Sequence, residues 1–324
     1  MNNDKFPIDA VITWVEGSDP KFLQKKKKYI SELERKEANH PTRFNEIGEL
    51  NFVVKSILKF APFVRKIFIV TDDQIPSFLK NKEDWSKKYL DKIELIDHKE
   101  IFRNFNHYLP TFNILSIECL LYKIKDLSEH FIYFNDDTFL VKPTNVDDWF
   151  INGLPVIRGK WITFSHKIWY KKLHRAIFPY KRNKWSYKKA QEKSAKIIGF
   201  NNKYFRAFHN PKALVKSNFS DFFELNPKLL SEQVRYKFRS NSQFNPYVLS
   251  WHHAIKNNRA ILTNNLQLIE VNFSVKDNPK KILRAIRKAS KSKNILFLNL
   301  QSLDLVKTNK LSEIISELDS LIKL

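Results

Sequence analysis

Three apolar runs in the first half of the chain each stop abruptly at a cluster of polar residues. Residues 8–15 lead into Glu16, Gly17, Ser18 and Asp19. Residues 66–71 lead into Asp72, Asp73 and Gln74, and residues 130–134 into Asn135, Asp136 and Asp137. Unbroken β-branched and aromatic runs of this length predict buried strands. Segments with helical spacing lie between them. Pro20, following Asp19, opens one that runs to about residue 37; others cover 49–60 and 113–126, and a shorter strand fits 92–96. Strands alternating with helices predict an α/β fold with a mainly parallel sheet flanked by helices. In such a sheet ligands bind beyond the carboxyl ends of the strands, which is where the three polar clusters fall.

Beyond residue 155 the texture changes. Trp161, Trp169, Tyr170, Phe178, Tyr180, Trp185 and Tyr187 interleave with lysines, residues 185–237 read as mainly helical with loops, and 260–272 contains another strand-like segment. Residues 303–324 read as a final amphipathic helix. No Pro/Gly/Ser-rich linker intervenes. The expected organisation is a single catalytic unit in three parts: an α/β part over 1–155, a mostly helical, basic insertion over 156–250, and a completion of the same unit over 251–324.

Composition narrows the chemistry. Gly is scarce, 5 residues in 324, against an ordinary usage of roughly 7 %. Neither a Rossmann fingerprint nor a Walker A loop is present. The single cysteine, Cys119, rules out an intramolecular disulfide framework and a multi-cysteine zinc site, and reads as a small core residue. The formal net charge of +23 predicts attraction to anions: nucleic acid, anionic lipid headgroups or polyanionic glycans. Lysine dominates over arginine, which favours diffuse attraction over bidentate reading of phosphates. With no apolar leader and no run long enough to span a bilayer, the chain is expected in the cytoplasm.

Two adjacent carboxylates after a buried strand repel each other unless a cation joins them. Asp136 and Asp137 are therefore either a solvated turn or a site for Mg2+ or Mn2+ on a diphosphate, since such ions take hard oxygen ligands. Gly17 permits close approach of backbone to a ligand. Ser18 and the amides opening the next helix suit phosphate oxygens. Trp14 offers a flat face to a base or sugar, or packs in the core. Thr111 or Asn113 suits a helix cap. Glu118, in an apolar stretch, needs a partner.

Four blocks resemble the Stealth family of sugar-phosphate transferases. They are IDAVITWVEGSDP (8–20); RFNEIGEL (43–50) continuing through APFVRKIFIVTDDQIP (61–76); LPTFN (109–113) with Ile117, Glu118 and LSEHFIYFNDD (127–137); and, more weakly, His209 to Pro211, Lys237 to Ser240 and Trp251 to Ala254. The sequence departs from the family pattern in having Glu16 and Glu46 where shorter acids or Asn are usual, Lys55 where Arg is common, Ile114 for Ser, and Gln243 at the position of an acid.

The resemblance implies a nucleotide-sugar transferase core of the GT-A-like kind. The implied reaction takes a UDP-sugar and transfers sugar 1-phosphate to an acceptor hydroxyl of a capsular polysaccharide or oligosaccharide, releasing UMP. Asp136 and Asp137 would hold the metal, Arg239 and Arg43 would balance phosphate charge, and His209 would take the acceptor proton. Thr13, Trp14, Glu16, Gly17, Ser18 and Asp19 would hold the uridine diphosphate, with Glu49, Thr71, Asp72, Gln74, Asn113 and Asn135 as further contacts to nucleotide or sugar. The inner face of the cytoplasmic membrane is an implied working place, through its anionic surface. Three other readings stand beside it: a metal-dependent glycosyltransferase releasing UDP, a non-catalytic scaffold bound to the membrane surface through its lysines, and a nucleic-acid-binding protein. The last lacks any helix-turn-helix, zinc-finger or RNA-recognition signature, so no specific nucleic-acid partner is expected.

Overall fold

The computed structural model of the chain describes residues 6–30, 47–81, 85–169 and 185–324. The strands among the described residues are β1 (Ile8–Thr13), β2 (Val64–Thr71), β3 (Ile93–Asp97), β4 (His130–Phe134), β5 (Thr138–Leu140), β6 (Phe150–Ile151), β7 (Leu154–Thr163), β8 (Lys203–Ala207), β9 (Lys212–Val215), β10 (Ile261–Thr263), β11 (Leu268–Asn272) and β12 (Phe297–Gln301). The central sheet has the order β3-β2-β1-β4-β9. Its first four strands are parallel and β9 runs antiparallel to β4.

Every residue of β1 is buried, as a strand covered on both faces requires. Alternation divides it between two cores. Ile8, Ala10 and Ile12 pack with the Glu49–Phe60 and Thr308–Ile322 helices, while Val11 packs with the Ile114–Glu118, Ser217–Leu225 and Pro246–Lys256 helices. At the amino end of the sheet the fully buried Asp9 carboxylate accepts two bonds from the Arg65 guanidinium (2.9 and 2.6 Å) and two from Ser128 (2.7 and 2.6 Å). That cluster ties β1, β2 and the approach to β4 together, far from the carboxyl ends.

Register places the polar clusters. Thr13 pairs with Val70 and Ile12 with Phe134, so Trp14 stands level with Thr71, and Asn135 one residue lower beside Thr13, at the same end of the sheet. Chain direction does the rest: β9 enters from that same end, with Lys212 opposite Tyr133. A second sheet joins β10, β7 and β6 with β8, and a third runs β11-β12-β5. The chain crosses from the central sheet to the third one through Asn135, Asp136 and Asp137.

Several elements differ from sequence expectation. The 113–126 segment is a short helix, Ile114–Glu118, followed by a 3-10 turn at Leu121–Lys123, because burial of Leu115, Ile117, Leu120, Leu121 and Ile124 outweighs local periodicity. The 185–237 stretch, expected to be mainly helical, also holds β8 and β9, whose partners are distant in sequence. The 260–272 segment splits into β10 and β11 in two sheets, with Gln267 between them at φ 45°. The lysine-rich helix covers Pro20–Lys27, and its expected continuation from residue 31 lies outside the described residues, as do Arg43 and Glu46. Cys119 is buried, as expected of a core residue. Among the described residues no helix is long and apolar enough to cross a membrane.

Candidate active site

A cleft of about 1090 Å³ opens at the carboxyl end of the central sheet, lined by Glu49, Glu118, Asn135, Asp136, Asp137, His209, Arg239 and Glu270 among others. A smaller cavity of about 170 Å³ lies beside it, bounded by Thr13, Trp14, His98, Thr111 and Tyr133. Val15, Ile114, Asn135, Asp136 and Arg239 belong to both walls, so the two spaces meet at a carboxylate and a guanidinium.

The doublet is set by the turn between sheets. The Asp137 carbonyl accepts from the Leu300 amide (3.0 Å) and from Asn299 Nδ2 (3.2 Å), and its carboxylate accepts from Thr138 Oγ1 (3.1 Å). Asp136 and Asp137 supply hard oxygen donors to the cleft. Among the described residues no group of three or more His, Cys, Asp or Glu side chains is placed to hold a metal ion unaided. A cation here fits the donor set only with oxygens from a ligand or water completing its shell, which is how Mg2+ is ordinarily held.

His209 reaches the doublet because β9 begins three residues after it, antiparallel to β4. Its Nε2 stands 3.4 Å from Asn135 Nδ2, and its Nδ1 lies 3.0 Å from Glu270 Oε1 and 2.7 Å from the Gln301 amide. A carboxylate on Nδ1 fixes the proton there, leaves Nε2 to accept from Asn135 Nδ2, and decides which amide atom of Gln301 faces the ring. The same bond holds the Glu270 carboxyl below its ordinary range, with burial opposing it.

Behind this wall sits a buried polar set. Thr13 Oγ1 and Tyr133 OH are 2.9 Å apart, and Tyr133 OH donates to Glu118 Oε1 at 3.1 Å, while Glu118 Oε2 has no partner. Burial pushes the Glu118 carboxyl up to about 7, against the Tyr133 bond and the charges of Arg239 and Lys212. Lys212 is fully buried, donates to the Asn210 carbonyl and lies over the Tyr247 ring at 5.1 Å. Desolvation pulls its ammonium down to about 8 although Glu118, Asp137 and Glu270 favour the charge.

Arg239 rides on a loop held from below. Asn113 Nδ2 donates to the Tyr236 and Phe238 carbonyls (3.2 and 2.9 Å) and to Gln243 Oε1 (2.8 Å). Gln243 Oε1 also accepts from the Ser240 amide (3.0 Å), and its Nε2 donates to the Gln233 carbonyl (2.9 Å) and Ser116 Oγ (3.3 Å). The guanidinium carbon sits 4.7 Å from the centre of the Trp185 ring. Gln243 thus uses its amide as both donor and acceptor, which an acid at that position does not do when ionised.

The structure gathers Glu49, Asn135, Asp136, Asp137, His209 and Arg239 around the larger cleft, and Thr13 and Trp14 at the smaller cavity. Asn113 instead supports the Arg239 loop. In the first-block loop, Glu16 accepts from Ser18 (2.7 Å) and exchanges two bonds with Gln74 (2.9 and 3.0 Å), while Gly17 lies between them. Asp19 caps the Pro20–Lys27 helix through the Phe22 amide at 2.7 Å. Asp72 pairs with Lys25 at 3.1 Å, and Thr71 Oγ1 is buried without a partner. Sequence reasoning missed Glu270, Gln301, Lys212 and Tyr133. Only the alternation of Glu270 within a strand-like segment offered a signal.

Residues 6–34 match the family model for Stealth protein conserved region 1, and residues 43–156 that for conserved region 2. His209, Arg239 and Glu270 lie beyond the matched ranges. Among curated proteins, a capsular polysaccharide phosphotransferase fcs1 of Haemophilus influenzae is 47% identical over 161 residues, 48% of this chain and 42% of that protein. One from Neisseria meningitidis serogroup B is 41% identical over 152 residues, 46% of this chain and 39% of that protein. The exopolysaccharide phosphotransferase SCO6021 of Streptomyces coelicolor is 44% identical over 43% of this chain and 24% of that protein. The match spans less than half of each relative's length. Among solved structures, the galactosyltransferase LgtC with donor and acceptor sugar analogs aligns over 98% of this chain and 97% of that one, at 11% identity and a TM-score of 0.48.

Proposed function

We propose that this chain transfers sugar 1-phosphate from a UDP-sugar to a hydroxyl of a cell-surface polysaccharide. The observation that carries the reading is the meeting of two cavities at Asp136 and Arg239, with the Glu270-paired His209 on the wall of the larger one. The smaller cavity takes the nucleoside end: its wall has two buried polar atoms without partners, Trp14 Nε1 and His98 Nδ1, which the edges of a base or ribose would satisfy. The larger one has the volume of a full ligand pocket and takes sugar and acceptor.

In this reading the acceptor hydroxyl oxygen attacks the phosphorus that carries the sugar. His209 Nε2 takes the hydroxyl proton, and the Glu270 carboxylate stabilises the resulting imidazolium. The bond from that phosphorus to the oxygen bridging to the uridine phosphate breaks, and the electron pair leaves with UMP. Arg239 neutralises charge on the equatorial oxygens. Asp136 and Asp137 would hold Mg2+ or Mn2+, which when bound supplies charge neutralisation on the diphosphate. Capsular names among the relatives support the acceptor class.

The test is the released nucleotide. Incubation with UDP-N-acetylhexosamines, Mg2+ and capsule-type acceptors is expected to yield UMP and a phosphodiester. Release of UDP would overturn the reading in favour of glycosyl transfer.

A further inference from the structure

We propose that the outer face of the Lys280–Lys291 helix is a track for an acceptor chain that already carries phosphodiesters. The proposal rests on the reading above, in which each turnover adds one such group.

Every exposed residue of this helix is basic: Lys280, Lys281, Arg284, Arg287, Lys288 and Lys291. At 100° per residue these six occupy one arc of about 120°. Ile282, Leu283, Ala285, Ile286 and Ala289 fill the opposite arc and are buried. The helix contains no acid. Two of the cations are engaged at the flanks, Arg287 with Glu317 at 2.6 Å and Lys281 with Asp277 at 3.7 Å. Lys280, Arg284, Lys288 and Lys291, three or four residues apart, form an open stripe that rises about 16 Å at about 1.5 Å per residue.

Position links the stripe to the cleft. β11 and β12 are parallel, and the helix is the crossover between them. The loop that leaves β11, Phe273, Ser274 and Val275, lines the cleft, and the helix begins five residues after Val275. The stripe therefore starts at the cleft mouth and runs away from it along the outside of the third sheet. A row of separated cations suits a linear polyanion rather than one phosphate. A helix that lies in a lipid interface buries its apolar face in the bilayer, whereas here that face is spent on β11, β12 and the Thr308–Ile322 helix.

The experiment measures binding without nucleotide present. Wild-type protein and the quadruple variant K280Q/R284Q/K288Q/K291Q are titrated with poly(glycerol phosphate), with uncharged dextran, and with phosphatidylglycerol vesicles, over a range of salt. The wild type is expected to bind the polyphosphate and not dextran. Its slope of log affinity against log salt should exceed the variant's by about 2–3, taking about 0.7 per phosphate contact on a single anionic strand. A triple variant that keeps charge, K280R/K288R/K291R, should bind as the wild type does, which separates charge from folding. Equal slopes in wild type and quadruple variant would overturn the proposal. So would a substitution effect confined to the vesicles, which assigns the stripe to lipid. The binding arm contains no donor, so it stands or falls separately from the nature of the leaving group.

Discussion

At the scale of single residues, the site sets two titratable groups against each other. Glu118 is held at about 7 against an ordinary 4.5. Between those values the folded chain keeps a proton that the unfolded chain releases. The associated stability is complete below about pH 4.5 and is lost as pH rises through 7. Thermal midpoints of the wild type and Glu118→Gln should therefore diverge across that interval and run parallel above it; a constant offset throughout would sink the assignment. His209 and Glu270 form the second test. His209→Ala should lower kcat by about 10²–10⁴, the usual worth of a positioned base. Glu270→Gln should lower kcat less, with the donor KM unmoved, and full activity in that variant would remove its orienting role. The doublet, His209 and Arg239 were legible in the sequence because each belongs to a recognisable block. Glu270 and Lys212 were not, since nothing local marks a carboxylate on β11 or a lysine on β9 as facing a cleft that distant strands build.

Elements carry these groups into place, and the Arg239 loop shows how. Its three supports, Asn113, Gln233 and Gln243, come from three separate segments and exchange amide bonds in the interior. Gln243→Glu would replace two donated bonds by an acceptor facing the Gln233 carbonyl. The expected cost is about 1–3 kcal/mol of stability, the penalty for an unsatisfied buried group, read as a lower urea midpoint together with reduced turnover. A variant as stable as the wild type would show that an acid is tolerated there. The strands of the first half were legible from their unbroken apolar runs. β8, β9 and the early end of the helix at Glu118 were not, because elements of four or five residues contain too little periodicity to outvote packing.

Across the whole molecule, stability and chemistry occupy opposite ends of one sheet. The Asp9 cluster closes the amino end, and the cavities open at the carboxyl end. Arg65→Met leaves the Asp9 carboxylate buried with only its Ser128 and Lys66 donors. That should cost about 2–4 kcal/mol, somewhat less than a buried pair with nothing left to compensate, seen as a lower denaturation midpoint with donor and acceptor KM unchanged. An unchanged midpoint would show that the guanidinium adds nothing to the cluster. The parallel sheet and the gathering of its polar strand ends followed from the sequence, since strand ends must share an edge when strands share a direction. The third sheet did not, because its strands meet across more than a hundred residues of chain.

That third sheet has a consequence for the order in which the molecule comes into being. In synthesis the doublet precedes by more than a hundred residues both the imidazole's carboxylate partner on β11 and the clamp on the Asp137 carbonyl from β12. A nascent chain that has folded its central sheet therefore holds these acidic residues at a half-built mouth until β11 and β12 emerge and dock. The cleft wall is completed in one late event, so a chain that stops before β11 keeps the central sheet without the strand that carries Glu270.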